Sequence, residues 1–149
     1  MDDSDDWDPL RHPGHYFSRI ARGLTRVGDV RLRHLGFATA QLPVLTALKD
    51  GTALSQKALA KWAKVEQPTM AQMLSRMERD GLVQRMPDPE DKRASLISLT
   101  EATLEKLPVG RAILRQGNSE MTKGLTEDEI ATLVSLLRRV LENVDSMEP

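Results

Sequence analysis

QPTMAQMLSRMERDGLVQRMPDPEDKRASLISLT, residues 67–100, decides how this 149-residue chain folds. Pro68 suits the first turn of a helix, where its missing N–H has no partner to lose. Met70, Met73, Leu74 and Met77 then recur at three and four, the spacing of a buried helical face, and Asp80-Gly81 stops the helix after Arg79. Residues 82–86 and 96–99 read as short extended stretches. Between them Pro87-Asp88-Pro89-Glu90-Asp91-Lys92-Arg93-Ala94 is polar and turn-forming, so the three pieces predict a helix followed directly by a β-hairpin.

Upstream, Ser55 caps a helix over 56–64 with Leu59, Ala60 and Ala63 inside, and Val65-Glu66-Gln67 joins it to the next helix. Two short helices on a tight turn are a helix-turn-helix pattern, and a hairpin after one is a wing. Residues 39–49 predict a further helix through Leu42, Leu45 and Leu48, stopped by Asp50-Gly51. Before it, Phe17, Ile20, Leu24 and Val27 mark a long amphipathic helix over 14–35, entered through Pro13. Gly23 and Gly28 weaken that helix by about 1 kcal/mol each, while Arg19, Arg22, Arg26 and Arg33 share one of its faces.

Downstream, Thr100 begins a long helix through Leu104, Leu107, Ile113 and Leu114, with perturbations expected at Pro108 and Gly110. Thr126 and Glu129 form a capping box for a last helix. Its stripe of Ile130, Leu133, Val134, Leu137, Leu141 and Val144, widened by Leu136 and Val140, is broad for a terminal helix of a small monomer and points to a subunit interface.

Composition agrees with a mainly α fold: hydrophobic residues are 40%, with 21 Leu and 13 Ala, and aromatics only 3%. The absence of Cys excludes disulfides, iron–sulfur ligation and thiol redox sensing. No apolar run approaches a membrane span, and the acidic start lacks the basic end of a secretory signal, so the expected location is the cytoplasm. The net charge is -1, but residues 1–9 carry five Asp and residues 10–35 six Arg against one Asp. Residues 54–99 hold eight Lys/Arg against six acids, and a phosphate backbone responds to that local distribution rather than to the sum.

At this point the chain resembles the MarR family of bacterial winged-helix transcription regulators. The likeness rests on Leu59-Ala60, Gln67-Pro68-Thr69, Arg76-Met77-Glu78-Arg79-Asp80-Gly81-Leu82-Val83, and the wing Asp88-Pro89-Glu90-Asp91-Lys92-Arg93-Ala94 followed by Leu99-Thr100-Glu101. The chain departs from the family pattern at Lys92, where many members have Arg, and at Trp62 and Lys64, where a polar residue and a Gly are usual. The acidic segment 1–12 is expected to be flexible; for the rest, the resemblance implies a helical dimerisation region of 13–36 with 101–149 and a winged DNA-binding lobe over 37–100. It also implies a homodimer that places two lobes in successive major grooves of a palindromic duplex operator and acts as a repressor.

On this reading Gln67, Pro68, Thr69, Gln72 and Arg76 lie off the Met-rich side of the recognition helix, where Gln pairs with adenine and Arg with guanine. Ser55, Gln56 and Lys57 are placed for phosphate at a helix N-terminus. The resemblance puts Arg93 in the minor groove, oriented by Asp91, with Lys92 as the nearest substitute; the alternative is an internal Asp91–Arg93 ion pair. The expected dimer contacts are Ile130, Leu133, Val134, Leu137 and Leu141. Trp62 either packs against the first helix or joins His15, Tyr16 and Arg19 around a small anionic aromatic effector, a phenolic or heteroaromatic carboxylate, by offering a ring and a cation. His12, His15 and His34 do not make a metal set, no catalytic arrangement or cofactor loop is present, and an enzyme is not expected. The rival function is a winged-helix protein-interaction module that has lost DNA binding, for which the near-balanced charge of the lobe is the argument.

Overall fold

Met70, Leu74 and Met77 are buried on one side of α4 (Gln67–Arg79) in the computed structural model, which describes residues 8–149. Gly81, at φ +78°, turns the chain after α4, and the Leu82 N–H returns to the Met77 carbonyl at 2.8 Å. This satisfies a carbonyl that a helix end otherwise leaves open. Before α4, Ser55 caps α3 (Gln56–Ala63) by accepting the Ala58 N–H at 3.1 Å. Lys64 makes the turn between α3 and α4 with φ +58°, a left-handed conformation that costs a residue with a Cβ roughly 1–2 kcal/mol.

After Gly81 the chain forms β2 (Val83–Pro87) and β3 (Ser95–Leu99), antiparallel in a register from Val83↔Leu99 to Pro87↔Ser95. A third strand, β1 (Leu54–Ser55), pairs with the free side of β3, giving the order β1-β3-β2. Sequence patterning missed β1 because two residues are too few to alternate. The Arg85 guanidinium meets the Glu78 carboxylate at 3.0 Å and ties the hairpin to α4.

The long first helix, α1 (Pro13–Leu32), continues as a 3-10 turn at Arg33–Leu35. Its C-terminal end carries Leu32 and Leu35 into the core of the winged lobe, where they join Phe37, Val44, Leu48, Leu59 and Ile97. The helix expected over 39–49 begins as a 3-10 turn, Thr39–Gln41, and runs on as α2 (Leu42–Ala47). From Asp8, the described end of the acidic segment forms a 3-10 turn, Pro9–Arg11, in which the Leu10 N–H donates to the Asp8 carboxylate at 3.0 Å. The acidic residues before it lie outside the described residues.

Helix α5 (Glu101–Met121) runs as one long helix, as expected, and passes through Pro108 and Gly110 without a break. A Cβ on Gly110 would lie 3.4 Å from the Phe37 ring, so this glycine serves close packing rather than helix termination. The chain divides into two compact units, one through Ile113 and one from Leu114. Helix α1 and most of α5 fall in the first unit; Leu32 of α1 lies in the core of the winged lobe and Leu104, Leu107 and Ile113 of α5 pack against it, whereas Phe17, Ile20, Leu24 and Val27 of α1 are exposed. In the second unit Thr126 and Glu129 form the expected capping box, at 3.1 and 2.8 Å, for α6 (Glu127–Ser146). Along α6, Leu133, Val134, Leu137 and Leu141 are exposed and Ile130 is half-buried.

Candidate nucleic-acid interface

With Met70, Leu74 and Met77 facing the core, helical geometry turns Gln67, Pro68, Thr69, Gln72 and Arg76 outward, and all five are exposed. Ala71, Gln72, Ser75, Arg76 and Arg79 line an open groove of about 380 Å³ along this face. Among the described residues no ion pair engages Arg76, Lys92 or Arg93, which leaves three guanidinium or ammonium groups available to an anion. Lys57 is exposed at the start of α3, whereas Gln56 and Ser55 are half-buried, Ser55 as the cap described above.

The wing is built from two local carboxylate turns. Asp88 accepts the Glu90 N–H at 2.9 Å and Asp91 accepts the Arg93 N–H at 3.0 Å, while the Asp88 N–H and Ala94 carbonyl close the base at 3.3 Å. Asp91 thus fixes the backbone of Arg93 and not its guanidinium, so the internal ion pair weighed from the sequence is absent among the described residues. The Arg93 side chain projects from a turn whose backbone is held.

The expected cluster of His15, Tyr16, Arg19 and Trp62 is not assembled in this form. Trp62 is 58% exposed on α3, against the expectation that it packs on α1 or lines a cavity. Its face of the helix is set by Leu59 and Ala60, which take the buried side. A pocket of about 440 Å³ does lie at the start of α1, lined by Pro9, His12, Gly14, His15, Ser18 and Arg22. His15 is the one residue shared with the expected set. Its Nε2 is buried with no hydrogen-bond partner, and its ring meets Tyr16 edge-on at 5.4 Å. The Tyr16 hydroxyl is occupied, donating to the Leu10 carbonyl at 2.9 Å. In the sequence His12 stands out only as a candidate metal ligand and Arg22 only as part of an arginine face, and Ser18 is not singled out; the 3-10 turn at Pro9–Arg11 that folds beside them carries no strong pattern.

Among the described residues there is no grouping of His, Cys, Asp and Glu able to hold a metal ion, and no helix is long and apolar enough to cross a membrane. A sequence model of the MarR family matches residues 38–95, the segment that contains the helix-turn-helix and the wing. The multiple antibiotic resistance protein MarR of Escherichia coli is 34% identical over 129 residues, 86% of this chain and 90% of that protein. The crystal structure of a mutant of Escherichia coli MarR complexed with operator DNA superimposes with a TM-score of 0.80 at 30% identity, over 95% of this chain and 99% of that one. The PcaV transcriptional regulator from Streptomyces coelicolor, solved in complex with its natural ligand, gives a TM-score of 0.76 at 30% identity over 91% and 95% of the two chains. With this helix-turn-helix, this wing and these relatives, the chain belongs to the MarR family of DNA-binding transcriptional regulators, which are not enzymes.

Proposed function

We propose that this protein is a cytoplasmic homodimeric repressor that reads a palindromic operator and is released from it by a small anionic aromatic ligand. The observation that carries the DNA-reading part is the outward face of α4, Gln67, Thr69, Gln72 and Arg76, beside a wing that holds Arg93 free of any ion pair among the described residues. Gln and Arg on that face suit base edges in the major groove. Arg93 enters the adjacent minor groove, Lys92 supports it, and Ser55, Gln56 and Lys57 meet phosphate.

The homodimer reading is supported by the exposed stripe of Leu133, Val134, Leu137 and Leu141 with the half-buried Ile130, a run of apolar surface that a second copy of α6 would cover. For the effector, support shifts from Arg19, Tyr16 and Trp62 to the pocket around His15. There His12 and Arg22 offer positive charge or donors to a carboxylate, and Pro9 and the ring of His15 offer apolar surface. That a relative is known in complex with its natural ligand supports a ligand response.

Selection of duplexes from a random library, followed by affinity measurements at several salt concentrations, tests the DNA-reading part. Arg93→Ala is expected to weaken binding to the selected palindrome and to reduce the salt slope by about one unit for each lobe that loses a phosphate-linked charge. Unchanged affinity and slope in a folded variant would remove Arg93 from the interface. Enrichment of no duplex at all would favour the rival reading as a protein-interaction module.

A further inference from the structure

Helix α2 enters from a 3-10 turn whose N-cap is Ala38, a residue with no side-chain oxygen to offer the first free N–H groups. The cap is supplied from another helix. Asp29, near the end of α1, accepts both the Thr39 N–H and the Thr39 hydroxyl at 2.7 Å each. These two donors hold the Asp29 carboxyl below the usual carboxylate range, with Arg33 acting in the same direction against partial burial. Beside it, a Cβ on Gly28 would fall 2.6 Å from the Thr39 methyl. Thr39 cannot swing that methyl away without taking its hydroxyl off Asp29, so α1 and the turn are in contact at a fixed separation.

The same turn stands across a cleft from the DNA-reading helix. Ala38, Ala40 and Gln41 form one wall of a cleft of about 230 Å³, and Thr69, Gln72, Met73 and Arg76 of α4 form the other. Gln41 stiffens the turn by accepting the Ala38 N–H at 2.9 Å, and its own side is buried. Contacts therefore run from α1 through Asp29 and Thr39 to the turn and α2, and from α2 through α3 to α4, which carries the outward-facing residues.

We propose that Gly28, Asp29 and Thr39 form a latch that fixes α1 against the turn before α2 and so sets where the recognition helix stands, which makes them positioning residues for operator reading. The proposal rests on the homodimer reading above: if α1 belongs to the part that joins two copies, the angle at this latch fixes the distance between two recognition helices, and hence which half-site spacing is bound best.

The test uses the full-length protein, the palindromic duplex that it selects from a random library, and two further duplexes with the half-sites moved one base pair closer or further apart. Gly28→Ala is expected to lower affinity for the selected duplex by about tenfold, within the usual range of couplings between sites, and to change the order of preference among the three spacings. Thr39→Ser in the same chain is expected to restore both, because Ser keeps the amide and hydroxyl that Asp29 binds and lacks the methyl that collides. Asp29→Ala is expected to alter the spacing preference and not to be rescued by Thr39→Ser. A merely structural role would lower the melting temperature and leave the spacing preference as it was. The latch is overturned if folded Gly28→Ala binds all three duplexes like the unmodified protein, or if its loss survives Thr39→Ser. Should Gly28→Ala fail to fold, Thr39→Val, which keeps the shape and removes the hydroxyl donor, decides the matter: an altered spacing preference supports the latch and an unaltered one overturns it. If the unmodified protein selects no palindrome, the homodimer reading is what fails, and the latch, having no second lobe to position, falls with it.

Discussion

The winged lobe and the last helix solve the same problem differently. In the lobe, α2, α3, α4 and the sheet meet around Val44, Leu48, Leu59, Met70, Leu74, Met77 and Ile97, each of them buried within the single chain. On α6 the residues of an equally regular stripe, Leu133, Val134, Leu137 and Leu141, stay exposed. Amphipathic spacing is alike in the two places and the outcome is not, so periodicity identifies an apolar face without saying what covers it. Where the chain itself offers no cover, a second copy is the cover that the proposed dimer supplies.

The comparison breaks first at α6. Leu137→Asp is expected to separate the copies or aggregate the chain, and to cost operator affinity about 10²–10⁴-fold, since each lobe then binds its half-site alone. Light scattering and titration against the selected duplex check this, and an unmodified protein that is a native monomer contradicts it. In the lobe, Leu74→Ala leaves a cavity in a closed core and is expected to cost about 2–5 kcal/mol of stability. Chemical denaturation at two protein concentrations sharpens the contrast: the cost of Leu74→Ala should be present at both, whereas the stability of the unmodified chain should rise with concentration.

A smaller effect is expected at the latch. The folded Asp29 carboxyl lies below its ordinary value of 3.8, so its contribution to stability is present above that value and is lost as the pH falls through the lower, folded one. Asp29→Ala should therefore be less stable than the unmodified protein near neutrality, and the gap should close in strong acid. A gap that stays constant from neutrality into strong acid would show that the Thr39 contacts do not depend on the charge.

Much of the lobe was legible in the sequence because its signals are local. Gly81 closes α4 at φ +78°, Ser55 caps α3, and the turn-forming run 87–94 separates two strands that pair in one register. The same holds for Thr126 and Glu129, three residues apart. Features that depend on distant residues were not legible. β1 is a strand only because β3 is beside it, and Asp29 caps a turn ten residues away that its own neighbourhood does not reveal. Trp62 misled for the same reason. Its type argued for burial, but the side of α3 that is buried is decided by Leu59 and Ala60 packing on other elements, and Trp62 lies away from it. In the pocket beside α1, His15 was recognisable by its chemistry, while its companions His12, Ser18 and Arg22 come together with Pro9 only through the preceding 3-10 turn.

The central claim is that two copies of this chain read one palindrome through the outward face of α4 and the wing. Hydroxyl-radical footprinting of the selected duplex, with the mass of the complex measured by sedimentation, tests it most directly. The account predicts two chains per duplex and protection that is symmetric about the dyad, including a minor-groove patch at each outer edge that disappears in Arg93→Ala. One chain per duplex, or a footprint without a dyad, would contradict it.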